Sequence, residues 1–321
     1  MPRSLFAAAA CAALGFAAPA SAQTYPSKAV RVIVPFTPGG ISDVLARVMS
    51  QHLTSALGQQ FVVDNRPGAG TTIAGELVAK SPPDGYTIYF IDMTTHAINA
   101  TLYSKLPYDS VRDFTQIAMV AQTPLVMVVH PSLPARSVKD FIALAKSRPG
   151  EIAYASSGNG TIVHLSGETF GSMAGVKMVH VPYKGSAPAV SALLGGEVAL
   201  TFSTTPPALP HVQAGRLRAL GVTTAKRSPQ LPDVPSLGDT LKGFDIVLYS
   251  GIMGPPNMPR EVVARLNKEL VRMVSAPAVK DAWTKQGAEP VVMTPEQVTD
   301  HLKSDIQKLG KMVRAAGAKV D

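Results

Sequence analysis

Cysteine is nearly absent: 321 residues carry one, Cys11, and it lies in a segment expected to be removed. Met1-Pro2-Arg3 is a short basic start, residues 5–18 are almost wholly apolar, and Ala20-Ser21-Ala22 supplies the small residues a signal peptidase needs. Cleavage after Ala22, and hence a periplasmic location, is the expectation, against the alternative of a buried N-terminal helix. Ala8-Ala9-Ala10 precedes Cys11 and the apolar stretch runs past it, so Cys11 reads as part of the leader, not as a lipoprotein site. From Gln23 onward there is no cysteine, which excludes disulfides, thiolate nucleophiles and cysteine-ligated metals. The apolar leader falls short of the roughly 20 residues of a membrane span, and no later stretch reaches that length.

Other chemistry is missing too. The chain has no Gly-x-x-x-x-Gly-Lys-Ser/Thr, no Gly-x-Gly-x-x-Gly after its first strand, and no His-Glu-x-x-His or paired-histidine spacing. Ser157 lies outside any Gly-x-Ser-x-Gly elbow. These absences argue against an NTPase, a dinucleotide enzyme, a zinc enzyme and a hydrolase. Lys+Arg number 30 against 22 Asp+Glu, a net +8, but the basic residues are scattered with no run of five or six. That excludes a nucleic-acid patch and leaves a basic surface or a weak pull on anionic solutes.

What is present is alternation. Short β-rich apolar runs (30–36, 61–64, 86–91, 117–122, 125–130, 152–155, 178–181, 198–202, 246–253) interleave with helical patterns (42–57, 72–80, 138–147, 162–174, 187–194, 262–274). This predicts an α/β fold with a mainly parallel sheet in each of two lobes, since about 300 residues exceed the usual size of one core. Pro124 marks a first crossing between lobes and the Pro-rich stretch 228–235 a return, giving lobe 1 as 23–123 with 246–321 and lobe 2 as 124–245. Thr294-Pro295-Glu296-Gln297 predicts a helix start with a capping box, and that helix is expected to pack on lobe 1.

Two segments share one construction of apolar strand, Gly-rich loop with hydroxyls, then helix. The first carries Phe36, Thr37, Pro38, Gly39, Gly40, Ser42 and Asp43; the second carries Ser156, Ser157, Gly160, Thr161 and His164. Such a loop leaves unpaired N–H groups at the positive end of a helix, where a carboxylate, phosphate or sulfate binds without arginine. In an open α/β sheet both loops would face the cleft. A plain βα turn, with Asp43 as a first-turn acid and Thr161 as a cap, is the alternative. Tyr183, Lys184, Gly185 and Ser186 open a third helix in the same manner. His164 or Ser157 would serve a rival enzyme reading, and a scaffold with no ligand is a third class.

Pro35-Phe36-Thr37-Pro38-Gly39-Gly40 with Asp43 and Ala46-Arg47 resembles the opening signature of the tripartite tricarboxylate transporter substrate-binding proteins, the Bug receptors. So do Asn65-Arg66-Pro67-Gly68-Ala69-Gly70, Pro83-Asp84-Gly85-Tyr86-Thr87, Tyr154-Ala155-Ser156-Ser157-Gly158, Val181-Pro182-Tyr183-Lys184-Gly185 and Leu231-Pro232-Asp233-Val234-Pro235. The resemblance spans nearly the whole chain beyond the leader. It implies a two-lobed, type II-like periplasmic "Venus flytrap" whose two βα loops pincer a di- or tricarboxylate, an acidic amino acid or an aromatic carboxylate, without cofactor or catalysis. It further implies a monomer that delivers its ligand to a tripartite tricarboxylate membrane transporter or, as the alternative, to a signalling partner. Asp43 is expected to order its loop, and Gly185, Ser186 and Thr204 to meet the ligand's far end. Ser203-Thr204-Thr205 stands where the family commonly has an acid, which suggests a ligand without an ammonium group; Phe36, Tyr183 and Tyr249 could line its apolar body.

Overall fold

The computed structural model describes residues 25–318; the expected leader and its cleavage point lie outside the described residues. Val30-Arg31-Val32-Ile33-Val34 is β-branched at four of five positions and forms β1 (Val30–Val34), whose valines and isoleucine are all buried. After it come α1 (Ile41–Leu57), ended by left-handed Gly58, then β2 (Phe61–Asn65), α2 (Thr72–Ala79), β3 (Thr87–Asp92), α3 (Met93–Leu102) and β4 (Thr115–Pro124). The chain continues through β5 (Val126–Val129), α4 (Val138–Ser147), β6 (Ala153–Ser156), α5 (Ile162–Ala174), β7 (Val179–Pro182), α6 (Ser186–Leu194), β8 (Leu200–Ser203), α7 (Thr205–Gln213) and β9 (Arg218–Val222). It closes with β10 (Val247–Gly254), α8 (Arg260–Ser275), α9 (Pro277–Lys285), β11 (Glu289–Met293) and α10 (Pro295–Ala316).

Two sheets result, ordered β11-β4-β10-β3-β1-β2 and β7-β6-β8-β5-β9. The βα units expected from the alternating pattern pair in parallel: β1 with β2 and β3, and β6 with β7 and β8. The strands at the two sheet changes, β4, β5, β9 and β10, pair antiparallel, and so does β11, so each sheet is mixed. A strand that leaves one sheet for the other has no crossover helix to return it in the same direction.

The chain changes sheet between Pro124 and Val126, and again between β9 and β10. The two passages run side by side, tied through Thr223. The Leu125 N–H donates to Thr223 Oγ1 (2.9 Å), and the Thr223 N–H donates to the Leu125 carbonyl (2.9 Å). Thr223 Oγ1 donates to the Ile246 carbonyl (2.8 Å), and the Ile246 N–H returns a bond to the Thr223 carbonyl (2.9 Å). Helix α10 starts with the predicted capping box of Thr294 and Gln297 and packs on α3 and β4; it also reaches α5 beside the second sheet.

Several elements escape the sequence pattern. Helix α3 is buried on almost every side, so Met-Thr-Thr-His-Ala-Ile-Asn-Ala shows no polar face. Pro206 and Pro207 open α7 and Pro210 sits inside it, while β11 carries Pro290, which its place at the sheet edge tolerates.

Candidate functional site

Strands β1 and β3 of one sheet, and β6, β7 and β8 of the other, each lead at their carboxyl ends into a helix. The five helix starts converge between the sheets on a small cavity lined by Phe36, Gly40, Ile41, Ser42, Asp92, Ser157, Ile162, Val163, Ser186, Thr204 and Leu248. No lysine or arginine is among them. Any anion held here is therefore held by amides and hydroxyls.

The five starts differ in how they are capped. Helix α1 has Gly40 as its N-cap, with no side-chain cap; among the described residues nothing accepts from the amides of Ile41, Ser42 and Asp43, and the Ser42 hydroxyl has no partner. Helix α6 has Gly185 as its N-cap, again without a side-chain cap, and leaves the amides of Ser186 and Ala187 and the Ser186 hydroxyl open. By contrast, Thr161 caps α5: its Oγ1 accepts from the His164 N–H (3.4 Å) and donates to the Gly158 carbonyl (2.8 Å). The Ile162 N–H is bonded across the cleft to Thr95 Oγ1 (3.0 Å). Helix α3 is capped by Asp92, which accepts from the Thr95 N–H (2.9 Å) and the Thr95 hydroxyl (2.5 Å). Thr204 starts α7 without capping it, and its buried Oγ1 has no partner.

Asp43 turns into its own loop. Oδ2 accepts from the Gly39 N–H (3.1 Å) and Arg47 Nε (3.0 Å), and Oδ1 accepts from Arg47 Nη2 (2.9 Å) and Asn65 Nδ2 (3.0 Å). Burial pushes its pKa up, but the bonds from Arg47, Asn65 and Gly39 outweigh it and hold the carboxyl below its ordinary value. Asn65 Nδ2 also donates to the Phe36 carbonyl (2.9 Å), so this loop is braced from behind. Thr37 crosses the cleft: its hydroxyl donates to the Lys184 carbonyl (3.2 Å). A Cβ on Gly185, whose φ is +153°, would stand 2.5 Å from Thr37 Oγ1. Only glycine permits that approach.

Of the residues singled out from the sequence, Phe36, Gly40, Ser42, Ser157, Ser186 and Thr204 therefore share the cavity. Pro38 and Gly39 are exposed on the rim. Tyr183 and Lys184, with Phe36, Ser157 and Gly70, line a second, outer cavity, and the Tyr183 hydroxyl donates to Glu197 (3.2 Å). Ser156, Gly160 and His164 do not line the inner cavity. Ser156 Oγ meets His180 Nε2 at 2.6 Å, and the Gly160 N–H donates to His164 Nδ1 (3.3 Å). His164 stacks on His180 with centroids 4.0 Å apart. Burial lowers the pKa of both rings, that of His180 to about 3 with His164 adding to the effect, so the pair is neutral near pH 7. Ser157 Oγ donates to Thr161 Oγ1 (3.0 Å) and contacts no histidine or carboxylate. Tyr249 packs its ring on His301 (4.6 Å) instead of facing the cavity.

Sequence reasoning missed the apolar lining residues Ile41, Ile162, Val163 and Leu248 and one polar one, Asp92. It is 1% exposed, and burial pushes its pKa up to about 6 despite the bonds from Thr95. The available signal was an acid directly after a buried strand, at its carboxyl end.

A family described as "Tripartite tricarboxylate transporter family receptor" matches residues 45–318. The chain belongs to this receptor family. The matched span takes in every strand except β1 and every cleft loop except the one that follows it. Among its relatives, Protein BugT of Bordetella pertussis is 39% identical over 311 residues, 96% of this chain and 95% of that protein. Rpa4515 of R. palustris, solved with adipate, is 37% identical with a TM-score of 0.89, covering 92% of this chain and all of that one. MatC from Rhodopseudomonas palustris, solved with bound malate, is 28% identical with a TM-score of 0.85, covering 90% of this chain and all of that one. These receptors are binding proteins, not enzymes, and no helix among the described residues is long and apolar enough to cross a membrane.

Proposed function

We propose that this protein is a periplasmic solute receptor that captures a small organic carboxylate between two lobes and presents it to a membrane transporter of the tripartite tricarboxylate type, without catalysing a reaction. One observation carries the reading. Helices α1 and α6, from opposite sheets, both begin at a glycine with no side-chain cap, and their open amides meet at one cavity that holds no basic residue. A carboxylate there supplies the acceptor that both helix starts lack. That relatives of the same fold were solved with adipate and malate supports the ligand class.

In this reading the first carboxylate sits on Gly40, Ile41, Ser42, Ser186 and Ser157. Thr37, Asp43, Thr161 and Gly185 shape the loops without touching it. The lobes, 23–123 with 246–321 and 124–245, close about the two passages tied by Thr223, because neither lobe alone completes the donor set. Ligand bound to both lobes shifts an open–closed equilibrium toward the closed form. Mass spectrometry of small molecules released on denaturing the purified protein should find a carboxylic acid, and small-angle scattering should show a smaller radius of gyration when that acid is restored. A neutral ligand, or a saturating carboxylate that binds the Gly40 and Ser186 variants as it binds wild type, would overturn the assignment.

A further inference from the structure

The strand orders set the cleft out along one axis. Thr37 touches Lys184, which places the β1 end opposite the β7 end; Ile162 bonds to Thr95, which places the start of α5 opposite the start of α3. With β6 between β7 and β8, and β3 between β1 and β10, Asp92 after β3 and Thr204 after β8 both fall away from the β1 and β7 ends, Asp92 one strand along and Thr204 two, level with Leu248 on β10. The cavity thus has an end of open amides, at Gly40, Ser42 and Ser186, and an opposite end built of Asp92 and Thr204.

This second end has a different chemistry. Asp92 lines the cavity with no cation facing it; Thr95 bonds to both of its oxygens and the Thr94 amide adds a third bond, which leaves a carboxylate oxygen's further lone pairs for a ligand donor. The Thr204 hydroxyl is buried without a partner, the state that a ligand relieves. No other titratable side chain lines the cavity. Of the neighbouring titratable groups on β3 and α3, the Tyr89 hydroxyl turns to the Thr71 carbonyl (3.4 Å) and His96 Nε2 to the Ser110 carbonyl (2.9 Å).

Resting on the carboxylate-binding function above, we propose that Asp92 and Thr204 form a specificity subsite that takes a hydrogen-bond-donating group, a hydroxyl or an ammonium, at the far end of the ligand and rejects a second carboxylate there. A carboxylate placed against Asp92 meets like charge in a closed, poorly solvated space, whereas a donor finds two acceptors. The acid absent after β8 is in effect supplied by β3, and the restriction to ligands without an ammonium group no longer follows.

The test is calorimetric titration with adipate and with monocarboxylates of the same chain length that end in a hydroxyl, an ammonium or a methyl. Near neutral pH the donor-ended compounds should bind about tenfold or more tighter than adipate. Asp92→Asn, which keeps an N-capping side chain, should bring adipate close to the hydroxyl compound and weaken the ammonium compound most. Burial pushes Asp92 up to about 6. Adipate affinity should therefore rise more steeply in wild type than in Asp92→Asn as pH falls from about 7.5 to about 5.5. Thr204→Val gives an independent reading should Asp92→Asn fold poorly: the donor-ended compounds should lose their advantage over the methyl compound. Equal affinities for all four compounds, or an order unchanged in both variants, would overturn the subsite and leave the carboxylate cleft standing. No binding by any of the four would overturn both.

Discussion

At the start of α1 the N-cap is Gly40, and the amides of Ile41 and Ser42 at the cavity have no partner among the described residues. At the start of α5 the N-cap is Thr161, which satisfies the His164 amide itself, while Thr95 takes the Ile162 amide from across the cleft. Both loops follow an apolar strand and both are rich in glycine and hydroxyls. The difference lies in one side chain. A glycine N-cap leaves the helix dipole for a ligand; a threonine or aspartate N-cap consumes it locally. The same rule sorts two of the other starts, with Gly185 open and Asp92 filled; the fifth departs from it, because Thr204 begins α7 without capping it.

The largest effect should come from giving α1 its own anion. Gly40 has φ −80°, and a Cβ there meets nothing within 4 Å, so Gly40→Asp fits the fold. Carboxylate affinity should fall on the order of 100-fold or more by calorimetry, while stability rises by a few tenths of a kcal/mol at about neutral pH. Unchanged affinity would mean that α1 is not the receptor end.

Next in size is a pH effect on α3, the filled start. His96 is fully buried and burial lowers its pKa from 6.5 to about 4, so the unfolded chain protonates first and stability falls as pH drops through that range. Asp92 is raised from 3.8 to about 6, so the folded chain protonates first and stability rises over nearly the same range. The two contributions oppose each other. Asp92→Asn should expose the histidine's, steepening the acid loss between about pH 6.5 and 4 by roughly 3 kcal/mol in urea titrations.

A smaller change is expected at Gly185. Alanine there must occupy a left-handed φ and push on Thr37, so Gly185→Ala should weaken ligand binding by about tenfold, with a larger radius of gyration at saturation. The smallest belongs to the filled α5 start: Thr161→Ala should cost about 1 kcal/mol of stability in denaturant and leave affinity within about threefold.

Much of this was legible in the residues. The β-branched run of β1, the Gly58 stop, the Thr294 capping box and the breaks near Pro124 and 228–235 are local signals, and local signals survive folding. The glycines and hydroxyls of the cleft were visible for the same reason. What stayed hidden depends on long-range partners. Nothing near Thr161 says whether its hydroxyl serves a ligand or its own helix, and the Ile162 amide is claimed by Thr95, 67 positions earlier. Asp92 stayed hidden because α3, which it caps, is buried all round and lacks the apolar stripe by which a helix announces itself.

In the proposed opening of the lobes Thr223, bonded to both passages between the sheets, serves as the spine of a book. Strand order then grades the travel. β5 lies at the binding, and β7 lies three strand spacings out, about 14 Å at the usual separation. A swing of about 10° carries that fore-edge some 2–3 Å, enough to part Thr37 from Lys184, while Thr204, after β8 and one spacing from the binding, moves about a third as far. The pages separate first where the carboxylate is gripped, and the far end of the ligand is the last to be released.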